Sequence, residues 1–273
     1  MPSGRTLVTR AADSHVVPRN QKGESVREAR ILIESVETFY HVSNEIKPSL
    51  LGFTENEQAE LEYFIFDAAN FCQIEIIAYT VYPQGYVMLV KTPAPYDVSG
   101  DILEKQVKSY LRTPQRLIYK RLRNNMKSER LNELKERIRD KLFNLREFVI
   151  LFASRFSLSY NKQHHRKGSV WEHRFKSYVV EKNVEFMMNA ISYIHTRALV
   201  MNTKVDLSGL RYSSWTKALE GSQKWRKKYN SVIEARNWKF VKMKMDSMFI
   251  VMTKRKNIPN YGSVDQALVE NVV

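Results

Sequence analysis

The stretch from Tyr160 to Ser177, YNKQHHRKGSVWEHRFKS, holds the side chains best suited to grip an anion or to do chemistry on one. Lys162, Arg166, Lys167, Arg174 and Lys176 are placed to meet phosphates, and Gly168 permits a tight bend among them. The neighbours His164 and His165 suit phosphate contact better than chelation, because adjacent side chains diverge on a helix or a strand. Trp171 reads in two ways. It stacks on an unpaired base, a contact of roughly 1–3 kcal/mol, or it closes the core with Phe175 while the cations form a solvated face. His41, His173 and His195 are the other histidines considered as ligands, and His41 on a strand reads more readily as a core residue. Cys72 is the single cysteine, between Phe71 and Gln73. Disulfide frameworks and cysteine-based zinc sites are therefore excluded, and a reducing cytosol is the expected compartment.

The elements that position this segment follow from periodicity. Residues 1–28 mix Pro, Gly, Ser and charge without a repeat and read as a mobile arm. Val36–Val42 is β-branched and aromatic and reads as a strand. A helix opens near Asn56, with Leu61, Phe64, Ile65, Ala68 and Ala69 at helical spacing and Thr54 as its N-cap, Glu57 standing three residues on. Ile74–Val81 and Tyr86–Val90 read as two strands joined by the turn Pro83-Gln84-Gly85, an antiparallel hairpin. The order to this point is β-α-β-β. From Leu131 an apolar stripe runs through Leu134, Ile138, Leu142, Leu145, Val149, Phe152 and Phe156 to Tyr160 in steps of three or four, one helix face throughout. Residues 182–198 form a further helix, and the sequence from 221 onward is basic and aromatic.

Charge points to the partner. Residues 1–100 carry 8 Lys+Arg against 13 Asp+Glu, whereas residues 101–273 carry 36 against 16, within a formal net charge of +15. An asymmetry of this size fits a polyanion, of which nucleic acid is the commonest; a generally basic surface or an anionic membrane is the other reading. The stretch Arg116–Lys141, with ten Lys+Arg and four Asp+Glu, either tracks a phosphate backbone or is a solvated helix face. Lys224–Tyr229 mixes charge and rings as single-strand binders do, or adds only non-specific affinity. No apolar run approaches eighteen residues and the first ten lack an apolar stretch, so neither a membrane span nor a signal peptide is expected.

The run Tyr160–Ser177 resembles the segment of REP-associated tyrosine transposases that reads roughly F-N-x-x-x-x-x-x-G-x-L-W-x-x-R-F-K-S. Tyr193-Ile194-His195 is similar to that family's Y-I-H element, and Tyr212-Ser213-Ser214-Trp215 more loosely to its Y-x-x-S-S element. Tyr40-His41-Val42 resembles its first strand, and Ala78–Val90 resembles A-Y-x-x-M-P-N-H-x-H-x-L-V. The resemblance covers about residues 36–216. It implies a ferredoxin-like antiparallel sheet of the HUH type and the cleavage and rejoining of single-stranded DNA. In that chemistry two histidines hold Mg or Mn against the scissile phosphate and a tyrosine attacks the phosphorus. The chain departs at each of these positions. The paired histidines fall on Gly85 and Val87, and the nucleophile, counted five residues before Asn161, falls on Phe156. Tyr160, one helical turn after Phe156, is either a displaced nucleophile or the family's aromatic before the asparagine. His195 matches the family and reads as structural.

The expectation is an α+β chain: a transposase-like domain at 29–216, with a ferredoxin-like sheet core at about 30–125 followed by a basic helical extension (long helix and basic turn at about 126–216), and then a basic C-terminal tail at 217–273. The expected function is binding of single-stranded or hairpin DNA without cleavage and without a metal cofactor. An active transposase using Tyr160, and an RNA-binding or protein adaptor, are the alternatives; monomer and homodimer both stay open. The resemblance implies a prokaryotic, nucleoid-associated cytoplasmic protein.

Overall fold

The β-branched run does form a strand: in the computed structural model β1 spans Thr38–Glu45. The structure describes residues 33, 36–96, 98, 100, 103–106, 120, 128–201 and 210–252. The arm expected at 1–28 and most of the basic stretch before Ser128 lie outside the described residues. Helix α1 spans Glu55–Cys72 and starts where the sequence signals it. Thr54 Oγ1 accepts from the Glu57 amide at 3.4 Å while the Glu57 carboxylate accepts from the Thr54 amide at 2.8 Å. This reciprocal cap satisfies two backbone donors that a helix start otherwise leaves open. Strands β2 (Glu75–Tyr82) and β3 (Gly85–Thr92) form the hairpin around Pro83 and Gln84.

The long apolar stripe belongs to two helices rather than one. α2 spans Ser128–Arg139 and α3 spans Leu145–Gln163. Between them Phe143 takes a left-handed backbone (φ 63°), its amide bonds the Cys72 carbonyl at 2.8 Å, and Asn144 caps α3 by accepting from the Glu147 amide at 3.1 Å. The hydrophobic spacing continues through the break because Leu142, Phe143 and Leu145 stay buried, so periodicity alone did not disclose it. Phe148, Phe152 and Phe156 are each fully buried along α3, about 1.5–3 kcal/mol apiece in burial.

A fourth strand, β4 (Lys176–Val180), grows from the end of the basic segment and pairs with β1. The sheet runs in the order β2-β3-β1-β4 with every neighbouring pair antiparallel, an α+β arrangement. Helices α1 and α3 cover one face, seen in Tyr79 bonding Glu62 of α1 at 2.5 Å and Tyr86 packing on Phe152 of α3. Helix α4 (Val184–Met201) covers the other, through His41 against Tyr193 and Thr80 against His195.

The stretch expected as a basic C-terminal tail forms helices up to Met252. Helices α5 (Ser214–Leu219), α6 (Gln223–Val232) and α7 (Trp238–Met252) follow in order. Trp225 and Tyr229 of α6 are buried, and α7 packs Val241, Met245 and Phe249 inward, with Ser192 of α4 against Met245 and Met248. The start of this region also covers the outer edge of β2. The Val81 amide donates to the Tyr212 carbonyl at 2.9 Å, Ser214 Oγ bonds both backbone groups of Tyr79, and Lys228 donates to the Ile76 carbonyl at 2.6 Å.

Candidate nucleic-acid interface

The basic segment is a loop held at both ends. On entry, the Arg166 amide bonds the Asn161 carbonyl and Asn161 Nδ2 donates to the Gly168 carbonyl at 2.9 Å, with Gly168 at φ 96°. On exit, the Lys47 amide bonds the Val170 carbonyl and the Glu172 amide bonds the Glu45 carbonyl, both at 3.0 Å, so residues 170–172 run beside the end of β1. Asn44 Nδ2 reaches the His173 carbonyl at 3.2 Å.

Beneath the loop lies an aromatic floor. Trp171 is 9% exposed, packed against Phe53, Tyr86 and Phe156, with its indole N–H aimed at the Ala153 carbonyl at 3.4 Å. The two readings of Trp171 thus separate: its ring is engaged in the core and presents no open face to a base. Phe175 is buried as well. Tyr160, 3% exposed, sits among Phe53, Phe156 and His164, with the Arg166 guanidinium 5.7 Å from its ring centre. Burial, and then the Glu57 carboxylate, make its hydroxyl harder to ionise than an ordinary tyrosine's. A phenolate nucleophile is correspondingly disfavoured there.

The polar residues divide. Lys162, His165, Lys167, Arg174 and Lys176 are exposed, and among the described residues none of their side chains has an acidic partner. His164 turns back instead: its Nε2 bonds Glu57 and its ring stacks on Tyr160 at 4.2 Å. Burial works against charge on Glu57, but the His164 bond and the Thr54 cap outweigh it and hold the carboxyl below its usual range. Arg166 is half-buried, donating to Asn161 Oδ1 at 2.9 Å and to the Ser169 carbonyl at 3.4 Å. Elsewhere cations are commonly neutralised, as in Arg155 with Asp67, Arg197 with Glu45, Lys217 with Glu62 and Lys228 with Glu75. The loop gathers several exposed cations without counter-charges in one short segment, although cations with no acidic partner among the described residues also stand elsewhere, as at Lys47, Lys227 and Lys239.

The positions assigned to strand-cleavage chemistry are not assembled into one place. Val87 lies opposite Ser43 and Thr80 in the sheet, and Thr80 bonds His195 of α4, so Val87 faces α4. Its neighbour Tyr86 faces α3, the helix that carries Phe156. Phe156 and the Gly85/Val87 pair thus occupy opposite sides of the sheet, as does Tyr160 from that pair. Three tyrosines stand on the Val87 side: Tyr82 of β2, Tyr178 of β4, stacked on His41, and Tyr193 of α4, set edge-on to His41 at 5.4 Å. Counting residues back from Asn161 missed Tyr193, although it stands in the Y-I-H element already singled out. Burial raises the Tyr193 pKa, and the neighbouring Arg197 guanidinium partly offsets this.

A divalent metal does not fit positions 85 and 87. Val87 offers no donor, and Gly85 has no room for a side chain: at φ 153°, a Cβ there would collide with the Asn44 carbonyl oxygen and lie 3.0 Å from Glu45 Cα. Among the described residues no three His, Cys, Asp or Glu side chains converge as a metal site requires. His195 is fully buried, its Nδ1 3.1 Å from both Thr80 Oγ1 and Ser213 Oγ and its Nε2 2.9 Å from the Tyr229 hydroxyl, which donates to Ser214 Oγ at 2.7 Å. The Y-I-H and Y-x-x-S-S elements thus meet in one closed polar network that ties β2, α4, α5 and α6 together. Cys72 is buried, with its thiol pushed up to about 12 by burial.

A solved structure of a REP-associated tyrosine transposase bound to a REP hairpin is similar to this chain at 13% identity. The match covers 72% of this chain and 87% of that one, with a TM-score of 0.41. A superposition that loose sets no residue-by-residue correspondence. No family model and no curated protein matches the chain. No helix among the described residues is long and apolar enough to cross a membrane.

Proposed function

We propose that this chain is a transposase-like DNA-binding protein that grips single-stranded or hairpin DNA through the loop at 162–176 and does not cut it. The observation that carries the reading is the set of uncompensated cations, Lys162, Lys167, Arg174 and Lys176, mounted on a packed aromatic floor. Because the backbone that carries these cations is already held at both ends, binding a phosphate orders side chains but not the loop itself. The ferredoxin-like description belongs to the same proposal, supported by the strand sequence 2-3-1-4 and by an order, β-α-β-β-α-α-β among the described residues, that differs from β-α-β-β-α-β by one added helix. So does the absence of cleavage, supported by the closed position at Gly85, the apolar Val87 and the separation of Phe156 and Tyr160 from both.

The test is equilibrium binding of a hairpin oligonucleotide and of a single strand at several salt concentrations. Each neutralised phosphate adds about 0.9 to the logarithmic salt slope on duplex and about 0.7 on single strands. Replacing the four lysines and arginines by glutamine should therefore lower the single-strand slope by about 3. Salt-independent binding, or no binding to any nucleic acid at low salt, defeats the proposal. Competition between DNA and RNA oligonucleotides separates the RNA-binding alternative.

A second reading, retained strand cleavage, is favoured by one observation, the placement of the Tyr193 ring on the Val87 side of the sheet. Incubation with a hairpin oligonucleotide and magnesium or manganese, followed by denaturing electrophoresis, tests it. A covalent protein–DNA adduct would overturn the non-cleaving reading. Its loss in Tyr193→Phe or in Tyr160→Phe would say which hydroxyl attacks.

A further inference from the structure

Helix α7 presents a second surface of unusual make-up. Its inner stripe, Val241, Met245 and Phe249, is buried, while Lys239, Phe240, Met243 and Lys244 lie together on the outer side, three or four residues apart. Phe240 is 42% exposed although Phe is a residue that folding ordinarily hides. Its backbone is fixed at the helix start, where its amide donates to Asn237 Oδ1 at 3.0 Å, and Lys244 Nζ stands 5.6 Å from its ring centre. Lys242 is paired with Asp246, but Lys239 and Lys244, and Arg236 just before the helix, have no acidic partner among the described residues. An exposed ring flanked by free cations at one-base reach is the combination that unpaired nucleotides use, the ring for the base and the cations for the phosphates.

This ridge is separate from the loop at 162–176. α7 packs on α4, which covers the Val87 face of the sheet, whereas the aromatic floor under the loop packs with α3 on the opposite face. We propose that the outer face of α7 is an independent binding surface for single-stranded nucleic acid, with Phe240 as its stacking platform and Lys239, Lys244 and Arg236 as its phosphate contacts. The chain then engages nucleic acid on two sides of its sheet. One side holds backbone by charge alone; the other recognises the lack of a pairing partner by offering a ring to the exposed base.

The experiment uses the full chain with a fluorescent thymidine oligonucleotide and a blunt duplex of equal length. Phe240→Ala should weaken single-strand binding roughly 5- to 150-fold, the equivalent of one stacked base, and leave the duplex unchanged. Lys239→Gln with Lys244→Gln should reduce the single-strand salt slope by about 1.4. Phe240 is exposed, so an unaltered melting temperature verifies the fold of each variant. Single-strand affinity unchanged in both variants overturns the inference, as does an equal loss on duplex and single strand in Phe240→Ala. Loss of binding to anionic phospholipid vesicles with nucleic-acid binding intact would assign the ridge to a membrane and also overturn it. The glutamine variants of the 162–176 loop report separately: if they weaken binding while the α7 variants do not, only this inference fails.

Discussion

His41 and His195 make acid sensitivity a test of the core. Both are fully buried, and burial lowers each pKa from 6.5 to about 3, helped at His41 by the Arg197 charge. Between those values the unfolded chain binds a proton that the folded chain refuses at each site. Unfolding then takes up protons, and stability falls as pH falls; the full contribution is present only above about pH 6.5. Integrating the linkage from pH 7 to pH 5 gives a loss of about 2 kcal/mol per histidine and about 4 kcal/mol for the pair. Glu37, Glu57 and Glu75, whose pKa values lie below the usual 4.5, lose their contributions at lower pH still, so they do not blur this window. The measurement is urea unfolding followed by tryptophan fluorescence at pH 7, 6 and 5, extrapolated to water. His195→Gln should lower stability at pH 7, where its hydrogen bonds are disturbed, yet halve the loss between pH 7 and 5. A flat stability profile across that interval, or a slope that His195→Gln leaves untouched, would refute the placement of these imidazoles as neutral core groups.

Other substitutions probe the remaining arguments. Gly85→Ala should destabilise by about 3 kcal/mol or more, combining backbone strain with a collision at Asn44, while Gly168→Ala, with open space around its Cβ, should cost only about 1–2 kcal/mol; thermal melts compare the two. Trp171→Ala should cost about 3–5 kcal/mol in chemical denaturation, the penalty of a core cavity; a stable variant with selectively weakened single-strand binding would return the ring to a stacking role. Tyr229→Phe deletes the hydroxyl between His195 and Ser214 and should cost about 1–3 kcal/mol, read from the urea midpoint.

The elements most legible in the sequence were those whose signals are local. Thr54 and Glu57 announced a cap that the fold realises, and the Pro83-Gln84 turn between two apolar runs announced the hairpin. β4 was not legible, because its five residues alternate only weakly and lie directly behind a cation-rich loop. The break between α2 and α3 was hidden because Phe143 and Asn144 interrupt the backbone without interrupting the apolar spacing. At the interface, residue types identified the cations, but not which of them the fold would occupy: His164 is taken by Glu57 and Arg166 partly by Asn161, contacts made across 107 and 5 residues of chain. Likewise, residue spacing put Phe156 where a nucleophile was sought, while only the strand pairing reveals that its side chain faces away from Val87.

The bonds that Tyr212, Ser214 and Lys228 make to the margin of β2 have a consequence for shortened versions of this protein. Remove everything from Tyr212 onward and a bare strand would display unsatisfied amides and carbonyls along its length, a ready template for a second molecule to zip onto. Such a truncation is expected to self-associate into intermolecular sheet, which makes the C-terminal helices guardians of solubility as well as builders of a binding ridge.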